Sequence, residues 1–319
     1  MDAKISILTP FKNTSKFILE TAHSIQAQTH THWEWILMND LSEEHEETLL
    51  LPLLTDHRIK LYQNPGNGIV DALRFALEKS TGFYVTRMDA DDLMPPHKLE
   101  LFLNLISRHQ CDVVTGKVQY FSSLPISEGY KKYEAWLNTQ VDHQDFYSEI
   151  YRECTLASGN WLMKKETLLK VGGFEHLEYP EDYDLLFRWY QQDLKIIGTG
   201  QITHLWREHP QRTSRISVNY QQKSFFNLKL QRFLDLEFQN ECIYIFGGGQ
   251  KGKLAYQFLT KKDIPCHWVV HEIPNKNQVH FEHINWVEGS FALNTSLTSS
   301  DLMKHYFKQK QLQFTWINL

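Results

Sequence analysis

The sequence predicts an α/β protein, a mostly parallel sheet flanked by helices, with a second, smaller α/β domain behind it. Three observations predict this. Short apolar runs alternate with helical stretches over roughly the first 120 residues, the pattern of parallel βαβ units. A strand, a glycine turn and a helix restart near residue 238, after a long helix. And 319 residues, at roughly 100–200 per domain, suit one large and one small unit. The expected domains are residues 1–237 and 238–319.

KISILTP reads as a buried strand, and Ser15 to Gln28 as a helix with Phe17, Ile18, Ala22 and Ile25 at helical spacing. WEWILMND is a second strand. LSEEHEETLLLPLL is a helix with acids in its first turn, where the helix dipole favours them. RIKLYQN is a third strand, IVDALRFALEKS a helix ended by Thr81-Gly82, and FYVTRMD a fourth strand. PPHKLELFLNLISR opens a helix on prolines. From about Phe121 to Trp161 the pattern is less regular; GYKKYEAWLNTQ and DFYSEIYREC read as short amphipathic helices. Helices follow over EDYDLLFRWYQQ and from Gln221 to Leu236. Beyond them come CIYIF as a strand, KLAYQFLTKK as a helix, HWVVHE as a strand, and a worn strand–helix–strand from Glu288 to Leu319.

Composition excludes several classes. Lys+Arg 33 against Asp+Glu 38 gives a net charge of −5, without the broad basic surface of a general nucleic-acid binder. An apolar fraction of 42% provides a real core, and Gly 15 with Pro 10 leaves little room for low-complexity linkers. No apolar run approaches the ~18 residues that span a bilayer, and MDAKISILTPF lacks a signal-peptide layout. Cys111, Cys154, Cys242 and Cys266 lie far apart with no CxxC pair, as reduced thiols do. The expectation is a soluble cytoplasmic protein, with peripheral membrane contact left open.

The strongest chemical signal is RMDADD at the end of the fourth strand. Asp89 and Asp91 are two apart on a segment expected to be extended, at the edge where open parallel sheets bind ligands. Such hard oxygens suit Mg²⁺ or Mn²⁺ bridging to substrate phosphates, although an acidic loop in solvent reads the same way. In YPEDYDLLFRW, Glu181 and Asp182 open a helix whose dipole is expected to keep Asp182 ionised near neutral pH. HLWREHPQRTSR gathers Arg207, His209, Arg212 and Arg215; cations of this kind can neutralise a departing diphosphate. Trp136 and the Ser158-Gly159-Asn160-Trp161 segment are candidates to line a pocket, since aromatic faces offer broad flat packing surfaces. His30, His32 and the Phe187, Trp189, Tyr190 stripe read as structural. Near the carboxyl end, Gly247-x-Gly249-x-x-Gly252 with Glu272 twenty residues on fits a dinucleotide fingerprint. About 80 residues are too few for a full dinucleotide fold, so this Rossmann-like tail stands between a structural or partner-binding role and a second nucleotide site.

The runs ISILTPFKN, QTHTHWEWILMNDLS and NGIVDALRFALEKSTGFYVTRMDADDLMPPHKLE, in this order over residues 4 to 100, resemble the nucleotide-sugar half of a family 2 glycosyltransferase of the GT-A fold. The resemblance implies an inverting transfer of a sugar from a nucleotide donor, a UDP-sugar first, to a hydroxyl of a glycan, in cell-surface polysaccharide or lipopolysaccharide assembly. It implies Mn²⁺ or Mg²⁺ held by Asp91, with Asp89 and His209 as further ligands, and Asp89 also beside the ribose and diphosphate. Asp40 would accept from the uracil ring, with Thr9 and Pro10 along the base. The family often has Arg-Asn where this chain has Leu73-Arg74, and Arg74, Arg207 and Arg212 are the basic candidates for the donor. Asp182 matches the family base that takes the acceptor proton, Glu181 its partner; Trp136, Asn160 and Trp161 would face the acceptor. YEAWLN, PEDYDLLF, WREHP and FGGGQKG are also similar to queuosine-tRNA galactosyltransferases, which makes a modified tRNA nucleoside an alternative acceptor. A non-catalytic nucleotide-sensing module is the reading from another class; the presence of Asp89, Asp91 and Asp182 together speaks against it.

Overall fold

A computed structural model describes residues 3–175 and 178–319. By packing, the chain divides into two compact units, Met1–Tyr147 with Thr155–Arg215 and Ser148–Cys154 with Ile216–Leu319. The long helix Gln222–Leu236 packs on the helix Gln250–Lys261. The division therefore falls at Arg215, ahead of that helix, where the sequence pattern had placed it at 237.

In the first unit the strands are β1 (Ile5–Phe11), β2 (Trp33–Asn39), β3 (Ile59–Gln63), β4 (Tyr84–Arg87), β5 (Val113–Phe121), β6 (Trp161–Lys164) and β7 (Ile196–Arg207). They form one sheet in the order β3-β2-β1-β4-β6-β5-β7. All neighbouring pairs are parallel except those of β6, which runs antiparallel to β4 and β5. The helices are α1 (Ile18–Gln26), α2 (Glu44–Leu50), α3 (Ile69–Lys79), α4 (Lys98–Arg108), α5 (Glu128–His143), α6 (Lys165–Lys170) and α7 (Glu181–Gln191), with α8 (Thr213–Ile216) at the boundary. β1 and β2 are buried along their whole length, as near-continuous apolar strands of a parallel sheet should be. Ile5, Ile7, Trp33, Trp35 and Leu37 from these strands meet Ile18, Ala22 and Ile25 of α1 and Phe102 of α4 in the main core.

One charged residue is sealed inside this sheet. Glu34, on β2, accepts bonds from Lys4, Lys60, Ser6 and Thr81, and its side chain is 1% exposed. Burial alone would push its carboxyl up; Lys60, Ser6 and Thr81 more than reverse this, and it sits well below the ordinary range.

Three strands of the first unit escape the sequence pattern. β6 is four residues long. β5 shifts register around Gly116, where a Cβ would fall 2.4 Å from Thr203 Oγ1, so that β5 and β7 can close only on a glycine. The middle of β7 is exposed and polar. The expected helix over DFYSEIYREC is instead a run of turns. Its apolar residues serve packing without helical spacing: Tyr151 stacks edge-on against Phe233 and donates to Glu237 at 2.9 Å.

The second unit holds α9 (Gln222–Leu236), β8 (Ile243–Phe246), α10 (Gln250–Lys261), β9 (Cys266–Val270), β10 (Val279–His280), β11 (Phe291–Asn294), α11 (Leu297–Lys310) and β12 (Thr315–Asn318). Its five strands are all parallel, in the order β10-β9-β8-β11-β12. Tyr244, Phe246, Val269, Ala292 and Phe307 form its core.

Candidate active site

The register of the first sheet sets Phe11 beside Asn39 and Leu8 beside Arg87, so the carboxyl ends of β1, β2 and β4 share one edge. Thr9 is fully buried and its Oγ1 accepts from Trp35 Nε1 at 2.8 Å; Pro10 follows it, also buried. Asp40 closes β2. Its Oδ1 accepts from Asn64 Nδ2 at 2.7 Å and from the Gly68 N–H at 2.9 Å, both bonds falling on the same oxygen. Arg74, on α3, stays with its own helix: it pairs with Asp71 at 2.7 Å and lies over Phe75.

Beyond β4 the DADD segment is a tight turn, with the Asp92 N–H reaching the Asp89 carbonyl at 3.3 Å, and not the extended run its spacing suggested. The turn sends its three carboxylates to different partners. Asp89 accepts from Arg87 Nε at 2.8 Å on one oxygen and from Ser158 Oγ at 2.9 Å on the other. Burial works against its charge, but Arg87 outweighs burial and holds the carboxyl below the ordinary aspartate value. Asp91 Oδ2 meets His209 Nε2 at 2.8 Å. Asp92 turns inward, where its carboxylate takes His204 Nε2 at 2.9 Å and the Arg207 N–H at 2.7 Å. Burial, then the charges of Asp91 and Asp89, push the Asp92 carboxyl well up, while burial and Lys98 push His204 well down. Lys98, fully buried and brought down to about 7 by burial, donates to the Gly159 carbonyl at 2.6 Å.

The fit of a divalent cation can be judged from these donors. Asp91 and His209 offer one hard oxygen and one imidazole already in contact, and His209 Nδ1 is buried with no hydrogen-bond partner. Among the described residues no group of three His, Cys, Asp or Glu side chains forms a closed cage. An ion held at this pair would need substrate phosphates and water to complete its shell. Asp89, with both oxygens taken by Arg87 and Ser158, is less suited to ligation than its neighbour.

The second acidic pair opens α7. Glu181 is buried and ion-paired with Arg87 Nη1 at 2.8 Å. Asp182 lines a small cleft, together with Arg87, Ser158, Trp161, Phe174 and Trp189. The helix start was expected to keep Asp182 charged. Instead burial, followed by the Glu181 charge, raises its carboxyl to about 7, against the opposing pull of Arg87 and the Tyr183 N–H. A carboxylate at that value suits proton exchange near neutral pH.

The other candidates separate. Arg207 is clamped: its Nε donates to the Asp91 carbonyl at 2.6 Å, its Nη2 to Glu20 at 2.8 Å, and it lies over Phe17 and Phe121. Arg212 pairs with Glu208 at 3.1 Å and stacks on Trp206 and Tyr120; Arg215 also pairs with Glu208. Arg207 and Arg212 are mostly buried and paired with carboxylates, whereas Arg215 keeps a half-exposed side chain. Asn160 is spent on the fold, donating to the Gly116 carbonyl at 2.6 Å and accepting from Thr203 at 2.7 Å. Trp161 walls the Asp182 cleft edge-on to Trp189, and Trp136 is half-buried and stacked on Tyr133. His30 bonds the Ala3 carbonyl at 3.1 Å, a structural role. Sequence reasoning missed Arg87, His204 and Lys98. Arg87 stood two residues before Asp89 in the run RMDADD, which was the available signal.

In the second unit the glycine turn follows β8. Gly247 has φ +117°, and a Cβ on Gly252 would stand 2.1 Å from the Gly247 carbonyl oxygen. Gly249 caps α10 with ordinary extended backbone, and Glu272 is exposed with its carboxylate 3.8 Å from His271. The approach of α10 to the Gly247 carbonyl accounts for Gly252, and the positive φ with Thr295 close by accounts for Gly247.

A family model described as glycosyl transferase family 2 matches residues 6–171. EpsE, a proposed glycosyltransferase of Bacillus subtilis, is 31% identical over 223 residues, covering 68% of this chain and 77% of that protein. TuaG, a proposed teichuronic acid biosynthesis glycosyltransferase of the same organism, is 34% identical over 109 residues, covering 34% of this chain and 43% of its own length. Against two further curated relatives the matched part is 22% and 16% of their length. Staphylococcus aureus TarS, solved with UDP-GlcNAc, superposes with a TM-score of 0.56 at 16% identity, over 80% of this chain and 71% of that one, a likeness of fold. By the family match and by EpsE, this chain belongs to glycosyltransferase family 2.

Proposed function

We propose that the protein transfers a sugar from a UDP-sugar to a hydroxyl of a glycan acceptor, with inversion, and that a divalent cation assists. One observation carries the reading: Arg87 brings the Asp89 turn and the Glu181–Asp182 helix start to one place, with Asp182 poised at about 7 on a cleft. Asp182 takes the proton of the acceptor hydroxyl as its oxygen forms a bond to the anomeric carbon; the bond to the diphosphate breaks on the opposite face. Asp91 and His209 would hold Mn²⁺ or Mg²⁺, which supplies positive charge against the leaving diphosphate. Asp40 uses Oδ1 within the protein, and Oδ2 is the oxygen we assign to the uracil N–H. Thr9 and Pro10 border the base at the end of β1. Trp161 and Trp136 are assigned to the acceptor side. The TuaG likeness supports a cell-surface polysaccharide as the acceptor.

The test is a thermal-shift screen of nucleotide sugars with and without Mn²⁺, since a ligand that binds the native state stabilises it by mass action. A UDP-sugar should stabilise the wild type with metal. Asp91→Asn should remove the metal-dependent part, and Asp182→Asn should keep donor binding but lose transfer. A protein that no nucleotide sugar stabilises under any metal would end this reading.

A further inference from the structure

Arg87 is 5% exposed, yet it carries a permanent charge that burial makes costly unless paired. Two of its pairings reach different parts of the site. Nε holds Asp89, in the turn after β4; Nη1 holds Glu181, the first residue of α7, with each bond at 2.8 Å. These partners are far apart in the chain, and Arg87 lines the same cleft as Asp182. A planar guanidinium fixes the directions of both bonds, which a single ammonium cannot do.

We propose that Arg87 is a positioning residue that couples the donor turn to the base helix, so that Asp89 and Asp182 keep one fixed geometry. The proposal rests on the glycosyl-transfer reading for its consequence in turnover, but the coupling itself is a property of the folded chain. The charged groups around Asp182 are Glu181 on its own helix, with Arg87 and Asp89 from the end of β4. Arg87 opposes the charge of Glu181 there. Removing either member of the Arg87–Glu181 pair should therefore move the Asp182 proton in opposite directions.

The experiment uses the full chain as wild type, Arg87→Met, Arg87→Lys and Glu181→Gln. Two readouts apply: the protonation midpoint of Asp182 by carbon-13 NMR of labelled aspartate, and kcat with donor KM. Arg87→Met should raise the midpoint by about one pH unit, and Glu181→Gln should lower it. In turnover, Arg87→Met should cut kcat about a hundredfold with donor KM changed less than about threefold, the pattern of misplacement without loss of a ligand contact. Arg87→Lys, which keeps the charge but can face only one carboxylate well, should lose about tenfold in kcat and stay folded. Should Arg87→Met fail to fold, Arg87→Lys and Glu181→Gln decide by the same two readouts. Midpoints that do not move, or that move together, overturn the coupling. So does a variant in which KM rises and kcat holds, since Arg87 would then be a donor contact. A wild type that turns over no nucleotide sugar would sink the enzymatic reading alone, because the NMR midpoints still decide the coupling.

Discussion

The two units each place a turn at the carboxyl edge of a parallel sheet, and the turns differ in what fills them. After β4, Asp89, Asp91 and Asp92 each find a separate basic or polar partner, and the neighbouring carboxyl of Asp182 is displaced to about 7. After β8, glycines fill the turn: Gly247 takes φ +117° beside Thr295, and Gly252 lets α10 approach the Gly247 carbonyl. The topology at the two edges is the same kind; the density of ionisable side chains is not. A parallel-sheet edge offers a place for chemistry, and side chains with displaced proton affinities mark where it is taken up.

The comparison can be broken most sharply at Asp182. Asp182→Asn should lower transfer about a thousandfold with the UDP-dependent thermal shift intact, as expected when a base is lost and a binding site remains. The wild-type rate has a sign that follows from the raised carboxyl. The base must be unprotonated, so kcat/KM should climb as pH rises through about 7 and level off above it. A profile flat from pH 5 to 8 would exclude Asp182 as the base.

Next in size is Glu34. Replacing it with Ala takes the acceptor from the buried Ser6 hydroxyl and the Thr81 N–H, while Lys4 and Lys60 can turn to solvent, and should cost about 2 kcal/mol of unfolding free energy by urea titration. Its folded carboxyl lies below the ordinary 4.5, so its stabilisation is complete above that value and fades as the pH falls below it. His209→Ala should lower the Mn²⁺-dependent part of the thermal shift and leave the metal-free melting temperature within about 2 °C. The smallest effects sharpen the contrast in the second unit. Gly252→Ala forces a methyl against the Gly247 carbonyl and should destabilise by about 2 kcal/mol, whereas Gly249→Ala, whose Cβ meets nothing within 4 Å, should be near neutral. If Gly249→Ala instead erased the UDP-dependent shift, nucleotide binding would belong to the second unit.

Much of this was legible from sequence, and the reason is local. β1 to β4 announced themselves by short apolar runs, and Asp40, Asp89, Asp91, Glu181 and Asp182 stood at the ends of recognisable elements. What could not be read depended on distant partners. Arg87 meets Glu181 across 94 residues, and Asp92 meets His204 across 112. Charge alone made Arg207 and Arg212 look available, and only their contacts with Glu20 and Glu208 show that they are committed. The ionisation of Asp182 was misjudged for a similar reason: the helix start was visible in the sequence, while burial and the nearby Glu181 carboxylate weigh more.

The reversal of β6 has a consequence for how such a site can diversify. Ser158 reaches Asp89 from the segment entering a strand, while Asp40 and Asp89 sit on segments leaving theirs. Traffic in both directions thus crosses one rim of the sheet. Residues 155–160, buried apart from a half-buried Ser158, lead in toward the cleft wall and are bonded to α4, to β5 and to the Asp89 turn, so a change in their length would disturb all three.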